Sequence, residues 1–463
     1  MMQTRLSAVR FGAKVPAGLV PLLAASYALG VVTLLASGRV VLSQAVLLLG
    51  APVMLALAVL RPEWTILVVV ALPPSLTNPI PPMQWVAIML ATLLGFLLHG
   101  HLRLGPNTGI YPLLGIIVLA IAVKADASAE ASATADGMLK ELIYYTLLVL
   151  VAFHTATSRR VRADTFANLL LLGIVVATIL QPFVGDTGFE AITQTPFRGK
   201  FAYLAVMAFG VTYVRFSLRR STDKRQYPFD AFLMVAFFCL TAIGFGRATW
   251  IAGLLVFALV SRWTGRKSFW IVSSLLLVLV LTVPVVGERV LPGGSASITD
   301  VTLARVTTGR SELWGLLWNR GVDALPFGNG WGYTWTLTAT HLFGLEGEFT
   351  SGGNEHIFPH NDFLFLFVEL GILGFGLLVA FWLHLLHKIR LLSRSRSEQT
   401  RYGVRVLVPV IIVMFLVQSF DNGFAIRFVA ERFFIAAGLV FGMHYLRQSE
   451  PSDLAATRSL GTS

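Results

Sequence analysis

Residues 362–384 read DFLFLFVELGILGFGLLVAFWLH. Asp362 and Glu369 are the only carboxylates in the run, and the rest is dominated by Leu, Phe, Gly, Val, Ile and Ala. A helix needs roughly 20 mostly apolar residues to cross a bilayer, and this run supplies them. The basic residues Lys388, Arg390, Arg394, Arg396, Arg401 and Arg405 follow at once. Lys and Arg in short loops mark the cytoplasmic side, so the Asp362 end faces outward.

The rest of the chain has the same character. Of its 463 residues, 56% are hydrophobic and 13% charged, and mean hydropathy is +0.74. A soluble domain has about 25% charged residues. Apolar runs predict spans at approximately 17–37, 40–60, 63–79, 83–100, 109–124, 138–156, 165–184, 200–217, 229–245, 248–263, 268–287, 362–384, 403–421 and 427–446. The third and fourth flank Pro73, Pro74, Pro79, Pro81 and Pro82 and are the weakest, so they can form a broken or re-entrant pair. The expectation is an all-α polytopic membrane protein of about 12–14 transmembrane helices.

The net charge of +12 would suggest nucleic acid in a soluble protein. Here the basic residues cluster between apolar runs and report topology, so no nucleic acid is expected. Arg103, then Arg159, Arg160 and Arg162, then Arg215, Arg219, Arg220, Lys224 and Arg225, then Arg262, Arg266 and Lys267 fall in alternate loops. The opposite loops are poor in basic residues or acidic, as at Asp126, Glu130 and Asp136. Both termini are then cytoplasmic, and the first apolar run is read as a retained helix. Cys239 is the single cysteine, which excludes an internal disulfide. The expected organisation is N-terminal helices over 1–287, a large outer loop over 288–361, C-terminal helices over 362–446 and a polar cytoplasmic tail over 447–463.

The large loop carries a helix-like stretch, Ser311 to Val322, with Leu313, Trp314, Leu317 and Trp318 on one face. Such a helix lies at the membrane surface, packs on the top of the bundle, or does both. Further on, Gly328, Gly330 and Gly332 punctuate a turn with Trp331, Tyr333 and Trp335. No strand precedes it, so it is not a dinucleotide fingerprint. Its aromatics suit core packing by default and sugar stacking as the alternative.

Among the arginines that run against the positive-inside bias three stand out: Arg198, Arg247 and Arg310. A guanidinium matches phosphate oxygens and keeps its charge at any relevant pH. Three of them on one face can hold a diphosphate at headgroup depth; each alone can also snorkel or cap a helix. His360, in Pro359-His360-Asn361-Asp362, stands at the entrance of the helix quoted above, with Asn361 or Asp362 as N-cap. An imidazole there suits general-base work, against the alternative of a loop hydrogen bond. His356 and His360 are spaced i, i+4 with Glu355 nearby, but Pro359 breaks the shared helical face, so no metal is expected. Glu369, about two turns in, is an expensive intramembrane carboxylate: a functional suspect or a scaffold partner.

The ordered set Gly246-Arg247-Ala248, Gly309-Arg310-Ser311-Glu312-Leu313-Trp314, Phe327-Gly328-Asn329-Gly330, Pro359-His360-Asn361-Asp362 and Glu369-Leu370-Gly371-Ile372-Leu373-Gly374 resembles the O-antigen ligase and O-antigen polymerase family of bacterial membrane proteins. The resemblance covers roughly 195–376, with Gly246-Arg247-Ala248 departing from the usual Ser-Arg-Gly. It implies a GT-C-like bundle in the bacterial inner membrane, moving a glycan from undecaprenyl diphosphate on the periplasmic side, inverting, without metal or other cofactor. It implies that Arg198, Arg247 and Arg310 bind the diphosphate and that His360 is catalytic; beside them Asn361, Asp362, Glu369 and Glu312 are read from the residues themselves as supporting groups. The partners expected are that lipid-linked donor, membrane lipids and a lipid A–core or other glycan acceptor. One large loop and no added soluble C-terminal domain lean towards a ligase. The rivals are a polymerase, a protein O-oligosaccharyltransferase, and, from another class, a lipid-linked sugar flippase or transporter. A transporter would place its polar groups near the midplane and often repeat itself, and this sequence does neither.

Overall fold

The computed structural model describes residues 42–72, 82–102, 108–125, 129–158, 163–184, 200–219, 227–243, 247–264, 310–337, 359–421, 423–424 and 426–449. The expected spans at 17–37 and 268–287, Arg198, Glu355 and His356 lie outside these residues. At some helix ends, including Arg247, Arg310 and Glu312, only the backbone is described.

The described chain is helical and has no β-strand. Helices α1 (Leu42–Leu60), α2 (Pro62–Ala71), α3 (Pro82–Leu98), α4 (Tyr111–Ala122), α5 (Ala129–Thr157), α6 (Ala163–Val184), α7 (Lys200–Arg219), α8 (Tyr227–Ile243) and α9 (Arg247–Thr264) fall on the apolar runs. Helix α10 (Arg310–Asp323) comes from the large loop, followed by a single turn of 3-10 helix at Tyr333–Thr336. Helices α11 (Asp362–Ser393), α12 (Glu398–Phe420) and α13 (Arg427–Ser449) complete the set. Among the described residues, α5, α11, α12 and α13 are long and apolar enough to cross a membrane.

Helix α13 is the axis of the bundle, buried on nearly all sides. Its Gly438 and Gly442 are one turn apart and face α5. A Cβ on Gly438 would sit 2.4 Å from the Val149 carbonyl, and one on Gly442 would sit 2.6 Å from the Ala156 Cβ. Small residues at this spacing let two helix backbones approach closely, which is how apolar helices attract one another where lipid removes the hydrophobic drive.

Contacts between helix ends sort into two faces. On one, Tyr145 meets the Phe424 carbonyl, Arg427 meets Glu141, and His360 and Tyr203 meet Asp421. On the other, the Tyr402 hydroxyl donates to Asp164 (2.7 Å), Arg447 donates to the Leu391 carbonyl (2.6 Å), and Arg215 pairs with Asp230 (3.2 Å). Each of these contacts joins ends that the basic clusters assign to the same side.

Two spans are not straight crossings, and the first is one of the two read as a broken or re-entrant pair. Helix α2 stops at Ala71, so its ten residues rise only about 15 Å, half of the hydrocarbon thickness. Its last carbonyls are not wasted: buried Arg432 donates to the Leu72 carbonyl at 2.6 Å and the Val70 carbonyl at 3.4 Å. A guanidinium at a helix C-terminus satisfies acceptors that lipid cannot. The second is α11, which bends sharply at Gly371 (φ 63, ψ −155). The Phe363 and Phe367 rings both reach Phe375, at 6.4 and 6.3 Å. On a straight helix those pairs would be about 18 and 12 Å apart along the axis. The straight segment that matches a bilayer is therefore 372–393, about 33 Å long. Glu369 precedes the bend and does not lie two turns down that segment.

Candidate functional site

The chain enters α11 through Pro359, His360 and Asn361. Asn361 is the N-cap: its Oδ1 accepts from the Leu364 N–H at 3.0 Å. His360 adopts φ 49, in the left-handed region that non-glycine residues rarely use. Such a conformation persists only when its surroundings over-determine it. Here the Pro359 carbonyl accepts from the Trp314 indole at 2.7 Å on one side, and the Asn361 cap holds the other.

That backbone turns the imidazole towards the end of α12. His360 Nδ1 lies 3.2 Å from Asp421 Oδ1, and the Tyr203 hydroxyl donates to Asp421 Oδ2 at 3.3 Å. An ionised carboxylate only accepts, so Nδ1 carries a proton, and in the neutral ring Nε2 then keeps its lone pair. The His360 side chain is 38% exposed and Asp421 24%, so the pair is open to a reactant. A histidine bonded to a carboxylate in this way is an arrangement that general-base chemistry can use.

The remaining candidate residues are placed as follows. Asp362 does not orient the imidazole; it is buried and its Oδ2 accepts from the Phe424 N–H at 3.0 Å. Asn361 is spent on capping. Glu369 is fully buried, and Oε1 accepts from the Thr334 N–H and hydroxyl, both at 2.6 Å, while Oε2 takes the Gly332 N–H. Its carboxylate anchors the glycine-rich turn. That turn also uses the carbonyls freed by the α11 bend: Asn329 N–H donates to Val368 and Gly330 N–H to Glu369, both at 2.9 Å, and Ile372 N–H donates back to Pro326 at 3.1 Å. Trp331 and Trp335 are buried in the core rather than presented to a sugar. The Phe327–Gly330 and Glu369–Gly374 motifs thus interlock as one scaffold beneath α10.

Helix α10 packs Leu313 and Leu317 on Leu364, Phe367 and Val368 of α11, while Trp318 is 54% exposed and stacks on Phe367 at 4.7 Å. It docks on the bundle with one side and presents an indole with the other. Between α10 and α11 lies a pocket of about 420 Å³ lined by Trp314, Trp318, Phe363, Phe367, Phe375 and the Asn361 cap. Arg310 begins α10, one turn before Trp314, or about 6 Å of helix rise. Arg247 begins α9. Among the described residues no cluster of three or more His, Cys, Asp or Glu could hold a metal ion.

Sequence reading missed Asp421 and Tyr203, which no local motif marks. It also missed a buried charge cluster under the site: Glu431, Arg432 and Arg427, with Glu141 and Tyr144 of α5. Ionisable residues inside an apolar helix carried a signal there, since they are costly and retained for a reason.

Comparison of the chain with protein-family models and with curated proteins gives no match.

Proposed function

We propose that this protein is a glycan transferase of the O-antigen ligase type, taking a glycan from undecaprenyl diphosphate and placing it on an acceptor hydroxyl at the outer face of a bacterial inner membrane. The observation that carries the reading is the His360–Asp421 pair, 3.2 Å apart and open to solvent, at the entrance of α11. Its end of α11 is the one that the Lys388–Arg405 cluster assigns to the outside.

In this reading His360 Nε2 takes the proton of the acceptor hydroxyl as its oxygen attacks the anomeric carbon. The bond from that carbon to the diphosphate oxygen breaks, the diphosphate leaves with the electron pair, and the configuration inverts. Asp421 steadies the imidazolium that forms. The leaving group is already good, so the remaining task is to stabilise its charge, which Arg198, Arg247 and Arg310 would do by electrostatic preorganisation. The start of α10 one turn from Trp314, itself bonded to Pro359, brings the Arg310 backbone to the neighbourhood of His360.

The test is His360→Ala in cells lacking the native gene. A general base contributes about 10²–10⁴-fold, so surface glycan should collapse while the variant is present at normal level. Long glycan should then accumulate on the lipid carrier; single repeat units would instead mark a polymerase. Normal surface glycan with a well-expressed variant would sink the catalytic assignment.

A further inference from the structure

One buried residue, Phe424, is held from both sides directly beneath the His360–Asp421 pair. Its N–H donates to Asp362 Oδ2 at 3.0 Å, and its carbonyl accepts from the Tyr145 hydroxyl at 2.9 Å. Asp362, Tyr145 and the Phe424 side chain are all buried. The Tyr145 ring stacks on Phe434 at 4.9 Å, and Phe434 stacks on Phe424 at 6.3 Å, so the arrangement is dry and fixed.

Its position in the sequence gives it a purpose. Asp362 lies two residues after His360, and Phe424 lies three after Asp421. Tying Asp362 to Phe424 therefore joins the entrance of α11 to the exit of α12, the two backbones that carry the base and its carboxylate. Tyr145 of α5 adds a third element and locks that junction to the centre of the bundle. The space is tight as well: a Cβ on Gly423 would come 2.6 Å from Asp362 Oδ2. The His360–Asp421 bond is partly exposed, so solvent competes for it more than for the buried hydrogen bonds beside it.

We propose that Tyr145 and Asp362 are positioning residues that clamp Phe424 so that Asp421 keeps His360 in its Nδ1–H form with Nε2 free. The kinetic part of this inference rests on the transferase reading; the structural part does not.

The experiment uses the full chain in nanodiscs with [15N]histidine, the His360 signals being assigned by difference from His360→Gln. Activity is measured with undecaprenyl-diphosphate-linked repeat unit extracted from a host strain lacking this gene. Tyr145→Phe keeps the ring and its stacking and removes the hydroxyl, which serves the Phe424 carbonyl and also touches Glu141. It should lower kcat about ten- to hundredfold with KM for the lipid donor unchanged, and should replace the Nδ1–H signal of His360 by averaged tautomers. Asp362→Asn can still accept the Phe424 N–H and should resemble the native protein in both readouts, whereas Asp362→Leu should resemble Tyr145→Phe. If Asp362→Leu does not fold, the first two variants decide. A native tautomer signal in Tyr145→Phe overturns the clamp, as does a loss expressed only in KM. No transfer by the native protein would instead overturn the transferase reading, and full activity in His360→Gln would remove His360 from the chemistry; in either case the tautomer signal would still decide the clamp.

Discussion

In the proposed transfer His360 acts as a base through one nitrogen only, and Asp421 decides which. In Asp421→Asn the side-chain amide can donate to Nδ1, which forces the proton onto Nε2 and leaves no free lone pair facing the reactant. Turnover should fall by about 10²–10⁴-fold, as far as removing the base itself, while the protein folds and binds its lipid donor as before. Turnover within twofold of the native value would remove Asp421 from the reaction. Glu369 makes the opposite case. Its carboxylate satisfies the Gly332 N–H and both donors of Thr334, so it serves the scaffold. Glu369→Gln should cost about 1–3 kcal/mol of stability, seen as a lower melting temperature, and leave the turnover of the folded fraction near native. A large kcat loss without a change in melting would return Glu369 to the chemistry. His360 was legible because Pro359-His360-Asn361 opens an outward helix. Asp421 was not, since the contact spans 61 residues and the linear sequence places it only in an outer turn.

At the scale of elements, hydropathy found the helices, because every buried or lipid-facing residue contributes to it independently. The bend in α11 was not legible, because distant residues cause it. The 362–384 run reads as one continuous apolar helix; only the docking of Pro326–Gly332 supplies partners for the backbone groups that the bend releases. Gly371 is the residue that permits it. A Cβ there would lie 2.0 Å from the Pro326 carbonyl oxygen, at φ 63. Gly371→Ala should therefore destabilise the protein by about 2–4 kcal/mol, through backbone strain and the forced separation of turn and helix. Gly376, in the same helix, has open space around its Cβ position, so Gly376→Ala is the internal control and should be neutral or slightly stabilising. Equal melting temperatures for the two variants would show that the turn does not hold the bend.

At the scale of the whole molecule, the positive-inside count and the packing are independent lines that agree. One uses only where Lys and Arg fall in the sequence, the other only which helix ends touch. The touching ends define two faces without saying which is outside; in the proposed topology the basic clusters orient them. The chemistry depends on that orientation, because a lipid-linked glycan displayed on the outer leaflet can reach His360 only if the His360 face is outside. Cysteine labelling tests it, since Cys239 is the single native cysteine and can be replaced by Ser. Lys124 and Arg396 are both exposed, at opposite ends of the bundle: Lys124 pairs with Asp136 near Trp331, and Arg396 lies in the turn between α11 and α12. In intact spheroplasts a membrane-impermeant maleimide should label Lys124→Cys and spare Arg396→Cys until the membrane is opened. The reverse pattern would put His360, Asp421 and Tyr203 in the cytoplasm, where neither the acceptor nor the proposed transfer could be.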